Sequence, residues 1–364
     1  MLDTISHQTI TIEGVTYTAA ACRGSLREEF AGRYGEDSFH VRLAEFLAEW
    51  FDDSDTLCVH TSGSTGVPKE LHVEKERMMN SARMTVRFLR LRAGDTALLC
   101  MPLPYIAGKM VVVRALVAGL NLIPVRPCGH PLAEVAEAPA FAAMIPMQVF
   151  NTLQVPAERG RLEGIRQLII GGGAVDAALG GVLRGFPNAV WSTYGMTETL
   201  SHIAMRRLSG PEASEWYTLF EGVSVSLSPD GALIVHAPAV NPGRLETNDL
   251  VELDAQGRFR VLGRRDNTIN TGGVKVQVEQ VEEALAARLP FPFAITAAPD
   301  AKFGERIVLL VEKVPADHPA IAPAVAALPP YWRPKQVVSV PALPKTGTGK
   351  PDRAAARRMA ESHA

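Results

Sequence analysis

The sequence predicts an α/β protein: a large N-terminal domain of layered sheets and helices with a β-rich subdomain, then a small mobile α+β domain. Three observations carry this. Between residues 39 and 192, short apolar runs alternate with stretches of helical periodicity, as in a largely parallel sheet covered by helices. From 224 to 259 the texture shortens to alternating segments broken by Pro and Gly, the mark of a β-rich part. A charged break at Gly263-Arg264-Arg265-Asp266 then sets off about a hundred residues with a helix and strands of their own. The domains expected are therefore residues 1–264 and 265–364. A chain of 364 residues is long enough for two or three such units.

Taken in order, residues 9–18 alternate around Glu13-Gly14 and predict a hairpin. Phe39, Leu43, Phe46, Leu47 and Trp50 recur at helical spacing behind Ser38, a natural N-cap. Strands are expected at 56–59, 96–101, 141–145, 167–170 and 189–192. They lead into a Ser/Gly loop, Pro102-Leu103-Pro104, Pro146, Gly171-Gly172-Gly173 and Tyr194-Gly195, respectively. Ligands of open α/β sheets collect at strand carboxyl ends, where all five loops would lie. The most apolar stretch, 110–125, is interrupted by Arg114 and Asn121, so it predicts a buried helix and strand rather than a bilayer span. Near the end come a helix over 279–289 and strands over 307–311 and 337–340.

Hydrophobic residues make up 47% and charged residues 21%, and the net charge is −2, so nothing pulls the chain globally toward nucleic acid or membrane. Cys22, Cys58, Cys100 and Cys128 lack CxxC spacing; reduced thiols and a cytoplasmic location are expected, not a disulfide framework or zinc site. The start shows no basic-then-apolar leader. Oligomeric state is left open, a homodimer included.

Five segments carry chemistry. Thr61-Ser62-Gly63-Ser64-Thr65-Gly66, followed by Val67-Pro68-Lys69, offers hydroxyls, glycines and a cation to a phosphate, although a solvated turn has the same composition. It is not a Walker A loop, whose GxxxxGK[ST] spacing is absent. Tyr194-Gly195-Met196-Thr197-Glu198-Thr199 follows an apolar strand. There Tyr194 could stack on a base, Thr197 could bond a phosphate and Glu198 could hold Mg²⁺; a plain strand-to-helix turn with an N-cap threonine is the alternative. Asp249, between short β segments, could accept both hydroxyl protons of a ribose, though most loop aspartates cap turns. Arg264 and Asp266 stand at the interdomain break, where they would matter if the small domain swings. Lys350, between Gly349 and Pro351, could bring an ammonium to an α-phosphate, or belong to a basic tail with Arg353, Arg357 and Arg358.

In order and approximate spacing, these segments resemble the adenylate-forming superfamily of acyl-CoA synthetases, luciferases and adenylation domains. Tyr194-Gly195-Met196-Thr197-Glu198 resembles its YGxTE motif, Thr247-Asn248-Asp249 its TGD with Asn for Gly, Gly263-Arg264-Arg265-Asp266 its GRxD hinge, and Gly349-Lys350 its closing GK. The resemblance covers about residues 55 to 353. It implies ATP, Mg²⁺ and CoA, an acyl-AMP intermediate, and a small domain that turns about Asp266 between half-reactions. It further implies Gly173, Ala174, Val175, Thr193 and Tyr194 around the adenine, and Gly272 and Gly273 beside the pantetheine arm. Two departures stand out: Tyr105 occupies the usual His position, which puts acid/base duty there in doubt, and the part before residue 61 is short, so a layer of the large domain is expected to be trimmed.

The segment Tyr105-Ile106-Ala107-Gly108-Lys109-Met110-Val111-Val112-Val113-Arg114 looks like that of the 2-succinylbenzoate–CoA ligases of menaquinone biosynthesis, in which an arginine serves the acid's second carboxylate. Arg114 matches that position. An arginine inside an apolar helix is costly unless an anion such as a substrate carboxylate pairs with it; the alternative is that Arg114 pairs with a structural acid or reaches solvent. Lys109 is a second candidate, Tyr105 a wall of the site, and Ser201 and His202 further lining, with a packed surface histidine the alternative for His202. Another aryl- or acyl-CoA ligase, an adenylation enzyme loading a carrier protein in trans, and a nucleotide sensor without catalysis are the competing expectations.

Overall fold

The computed structural model describes residues 5–60, 70–346 and 351–363. The chain divides into two compact units, one of residues 1–175, 181–224 and 236–245, the other of 176–180, 225–235 and 246–364.

The first unit is built on β1 (Thr9–Ile12), β2 (Val15–Thr18), β3 (Thr56–His60), β4 (Glu70–Glu74), β5 (Thr96–Leu99), β6 (Asn121–Pro124), β7 (Phe141–Met144), β8 (Gln167–Ile170), β9 (Ala189–Gly195), β10 (His202–Arg207) and β11 (Thr218–Leu219). Its helices are α1 (Ala19–Arg23), α2 (Leu26–Tyr34), α3 (Phe39–Trp50), α4 (Lys75–Leu89), α5 (Ile106–Ala118), α6 (Pro146–Leu153) and α7 (Pro156–Gly164); α8 (Ala177–Arg184) follows β8. Nine strands form one sheet in the order β11-β10-β9-β8-β7-β5-β6-β1-β2. The six from β9 to β1 run parallel, and antiparallel β2, β10 and β11 close its edges. Ala97, Leu98, Leu99, Leu168 and Ile170 are fully buried, so the central strands read as unbroken apolar runs because both faces are covered.

The expected hairpin at 9–18 and the helix behind Ser38, whose hydroxyl accepts from the Val41 amide, are both present. One expected strand is placed differently. Among the described residues, β3 does not join the parallel sheet but pairs with β4 as a two-stranded antiparallel ribbon. The chain returns from residue 60 to residue 70, too soon for the crossover of a dozen or more residues that a parallel neighbour requires. Helix α5 is buried on every side from Gly108 to Leu116, as an all-round apolar sequence demands. It lies tight on the loop after β5: a Cβ at Gly108 would stand 2.5 Å from the Pro102 carbonyl oxygen.

β12 (Ser224–Leu227), β13 (Ala232–Ala237), β14 (Asn241–Leu253) and β15 (Phe259–Arg264) form a four-stranded sheet in chain order, of which residues 225–235 and 246–264 belong to the second unit. Asp249, expected in a loop between β segments, lies inside the long strand β14. Its pairing with β15 continues through a register shift at Leu250/Val251, which absorbs the irregular alternation of this stretch. The remaining elements are β16 (Thr268–Thr271), β17 (Val274–Gln277), α9 (Val278–Ala286), β18 (Phe293–Asp300), β19 (Gly304–Glu312), α10 (Ile321–Ala326), β20 (Gln336–Val340) and α11 (Arg353–Glu361). Along β19, Ile307, Leu309 and Val311 pack with α9 and α10 on one face, and Val308 and Leu310 pack with α11 on the other. That two-sided burial explains its five consecutive apolar residues.

Candidate functional site

Of the residues singled out above, Thr61, Ser62, Gly63, Ser64, Thr65, Gly66, Lys69 and Lys350 lie outside the described residues. The others can be placed.

The carboxyl ends of β8 and β9 meet closely. The Thr193 hydroxyl donates to the Ile170 carbonyl at 3.2 Å, and a Cβ at Gly171 would come within 2.7 Å of that hydroxyl oxygen. The exposed loop Gly172-Gly173-Ala174 and half-buried Val175 follow β8, and Tyr194 lies edge-on to Tyr217 with ring centres 5.8 Å apart. β9 runs further than the apolar pattern indicates because Gly195 still pairs across to His202 of β10. Gly195 has no room for a side chain: a Cβ would stand 2.3 Å from the Ser201 carbonyl oxygen and 2.5 Å from the His202 Cα. Residues Thr197–Thr199 form one 3₁₀ turn rather than the start of an α-helix.

The buried Thr199 hydroxyl organises that turn. It accepts from the Met196 amide at 3.1 Å and lies 2.7 Å from the Ser201 carbonyl. Leu200 adopts φ +63°, uncommon for a branched side chain, a conformation that persists only where surrounding structure holds it. The Asn241 amide donates to the Glu198 carbonyl at 2.9 Å. The Glu198 side chain is exposed, and that of Thr197 is half-buried.

Beside this turn, α5 delivers Arg114, 2% exposed. Its Nη2 donates to Ser201 Oγ at 2.6 Å, and its Nε has no hydrogen-bond partner among the described residues. Burial pushes the guanidinium down to about 9, and no carboxylate pairs with it among the described residues. His202, expected as a surface residue in one reading, is buried at 7% exposure. Its Nδ1 lies 3.2 Å from Ser201 Oγ and its Nε2 2.9 Å from Thr85 Oγ1 on α4. Burial, then the nearby Arg114 charge, holds the imidazole well below the usual histidine range.

Lys109 belongs elsewhere. Five residues along a helix turn a side chain through roughly 140° from Arg114. The Lys109 ammonium donates to the Cys58 carbonyl at 2.8 Å, lies 3.4 Å from Glu49 and stands 5.3 Å from the Phe46 ring centre. Tyr105, at the N-cap of α5, is exposed.

In the second unit, Asp249 faces Arg264 across β14 and β15 and accepts from its Nη1 at 3.1 Å. Nε and Nη2 of the same guanidinium grip Asp266 at 2.9 Å each, which lowers the Asp266 carboxyl. The three residues thus form one charged cluster rather than separately solvated side chains. Gly272 and Gly273 form the two-residue corner of the β16–β17 hairpin with φ +59° and +81°, the left-handed pair that a type I′ turn requires.

Thr85, Thr199 and Asn241 were not legible as site residues. A signal existed for Thr85, which interrupts the apolar stripe Met78, Ala82 and Leu89 of α4 with a hydroxyl at a core position.

Comparison with known proteins finds a match of the AMP-binding enzyme family to residues 11–220. A "probable 2-succinylbenzoate–CoA ligase" of Mycobacterium tuberculosis is 30% identical, with 86% of this chain and 87% of that protein covered. A crystal structure of an acyl-CoA synthetase (AMP-forming)/AMP-acid ligase II-like protein from Dyadobacter fermentans superposes with TM-score 0.62 at 34% identity, covering 88% of this chain and 93% of that one. The o-succinylbenzoate CoA synthetase of Bacillus subtilis in complex with its acyl-adenylate intermediate shares the fold at TM-score 0.72 and 19% identity, over 97% and 95% of the two chains.

Proposed function

The chain belongs to the AMP-binding enzyme family, and from that premise we propose that it is an ATP-dependent carboxylate–CoA ligase whose acid is 2-succinylbenzoate. One observation carries the choice of acid: Arg114 is buried without a carboxylate partner among the described residues. A buried cation with unused donors is costly, and an acid that keeps one free carboxylate after activation would complete it. The naming of the mycobacterial relative agrees.

In the first half-reaction a substrate carboxylate oxygen attacks the α-phosphorus of ATP and pyrophosphate leaves. Lys350 and the hydroxyls and amides of residues 61–66, with Lys69, steady the phosphates; Thr197 donates to a phosphate oxygen. Tyr194, Thr193 and the loop Gly173-Ala174-Val175 take the adenine, and Asp249 and Arg264 the ribose. Magnesium suits Glu198, an exposed carboxylate with no three-ligand cluster around it among the described residues, because this ion settles for one or two carboxylates plus substrate phosphates, whose charge it would neutralise. In the second half-reaction residues 265–364 turn about Asp266 and withdraw Lys350. The CoA thiolate then attacks the acyl carbon and AMP leaves, with Gly272 and Gly273 beside the pantetheine arm.

Adenylation is needed because a carboxylate is a poor acyl donor, whereas AMP departs readily. The test is to supply ATP, CoA and 2-succinylbenzoate, measure the product mass, and compare pyrophosphate release across a panel of acids. The expected product is the mono-thioester. If benzoate or a fatty acid outperforms 2-succinylbenzoate by orders of magnitude, the assignment of the acid fails.

A further inference from the structure

Ser201 has one hydroxyl proton, and where that proton points decides what Arg114 meets. One assignment of the protons satisfies the whole chain of contacts. Thr85 lies one helical turn after Ser81, and its hydroxyl donates to the Ser81 carbonyl at 3.2 Å. With that bond made, Thr85 Oγ1 meets His202 Nε2, 2.9 Å away, as an acceptor; the Nε2–H tautomer is thus the one that keeps the Thr85–Ser81 bond, whereas the opposite tautomer would draw the Thr85 proton to Nε2. A neutral imidazole then has a bare Nδ1. Ser201 Oγ, 3.2 Å from it, must donate. The Ser201 oxygen is left with lone pairs only, and these receive Arg114 Nη2 at 2.6 Å. The packing keeps the ring neutral: His202 is enclosed, with the Phe220 ring edge-on at 5.5 Å and the Arg114 charge beyond Ser201.

From this directed series we infer that His202 is a positioning residue for the substrate's free carboxylate. Held as the Nε2–H tautomer by Thr85, it turns the Ser201 proton away from Arg114, so that Ser201 fixes the guanidinium and leaves its remaining N–H groups for the anion. This rests on the reading of Arg114 as the anion site. His202 itself touches no substrate in this scheme. Its effect is to keep the arginine in one orientation before the acid arrives, which should appear as affinity for the acid.

The test has two arms. The first needs no variant: nitrogen-15 spectra of imidazole-labelled wild-type protein near pH 7.5 should show His202 with its proton on Nε2. A proton on Nδ1, or a charged ring, overturns the proposal. The second compares His202→Phe, which removes the Nδ1 acceptor, with His202→Asn, which returns an acceptor near the same place. His202→Phe should raise the KM for 2-succinylbenzoate about 10-fold, the effect of one ordering hydrogen bond at a charged group, while kcat and the KM for ATP stay within about 2-fold. His202→Asn should recover most of the difference. Parallel rises in both KM values, or no recovery by asparagine, mean that His202 is packing alone and overturn the proposal. Arg114→Met, run alongside, separates the two ideas. If it leaves the acid KM unchanged, the Arg114 reading fails; if it raises the KM and His202→Phe does not, only the role of His202 fails.

Discussion

Replacing Arg114 by methionine should make the protein more stable and nearly inactive toward a dicarboxylate, a combination that few substitutions produce. The stability part follows from burial. The guanidinium falls from 12.5 to about 9 with desolvation as its cause, which at about 1.4 kcal/mol per pH unit is roughly 5 kcal/mol of disfavoured charge. The bond to Ser201 returns about 1.5–3 kcal/mol of that. Methionine fills much of the same volume and needs no partner. The net expectation is a gain of about 2–3 kcal/mol, close to what replacing buried ionic groups by apolar ones has given elsewhere. The sign with pH is definite. The charge is disfavoured at every pH below about 9, and the penalty is relieved only as pH rises through that value, so a comparison at pH 7 reads it in full. In a thermal scan the transition of the first unit should rise by roughly 5 °C or more. Activity should move the other way: losing a buried charge pair with the substrate should lower kcat/KM for 2-succinylbenzoate by about 10²- to 10³-fold. Saturating acid should stabilise the wild type and leave Arg114→Met unmoved. A variant that unfolds earlier than wild type, or one that keeps its kcat/KM, refutes the reasoning.

Other outcomes follow from the same geometry. Because the folded His202 titrates below its ordinary value, the unfolded chain binds a proton near pH 6.5 that the folded chain refuses. Stability should therefore fall as pH drops below 6.5 and stay flat above about 7; the wild-type urea midpoint should show this fall more steeply than that of His202→Phe, and equal slopes would count against it. Gly195→Ala forces a Cβ into backbone atoms 2.3 and 2.5 Å away, so pyrophosphate release should drop at least about 10²-fold even where circular dichroism shows a folded protein. Full activity in the alanine variant would mean that the 196–201 turn does not need its present shape. Lys350→Ala should abolish acyl-AMP formation and weaken thioester formation from supplied acyl-AMP far less; equal losses in the two half-reactions would contradict its assigned role.

The legible and illegible parts of this fold divide along a physical line. Strands β5, β7 and β8 could be read because burial on both faces leaves a local mark, an apolar run closed by Pro or Gly. The same mark misplaced β3, since an apolar run carries no information about its hydrogen-bonding neighbour. Asp249 looked like a loop residue because Pro242, Gly243 and Asn248 are poor strand formers, yet pairing with β15 overrode propensity. Ser201 was singled out only through its nearness to the Tyr194–Thr199 run. Its link to Arg114 spans 87 positions, and that of His202 to Thr85 spans 117. No periodicity records contacts of that range.

Helix α5 sharpens the case for a substrate anion because it contains its own control. Lys109 and Arg114 are both cations on one apolar helix, and both are buried, at 6% and 2% exposure. The fold provides for Lys109 in three ways: the Cys58 carbonyl, the Glu49 carboxylate and the Phe46 ring. For Arg114, whose five N–H groups ask for more, it provides among the described residues one serine hydroxyl, itself 3.2 Å from His202 Nδ1. Had a positive charge in this helix served only to hold the helix in place, the second cation would be expected to have acquired partners as the first did. A sequence consistent at every other level along α5, yet with a local conflict at one position, puts the conflict where function would require it. Arg114→Met and Lys109→Met should therefore differ in sign: the first gains stability and loses affinity for the acid, and the second, which leaves the Cys58 carbonyl without its donor, loses stability by about 1–3 kcal/mol. Two destabilised variants would place Arg114 among the structural residues and leave the second carboxylate without a receptor.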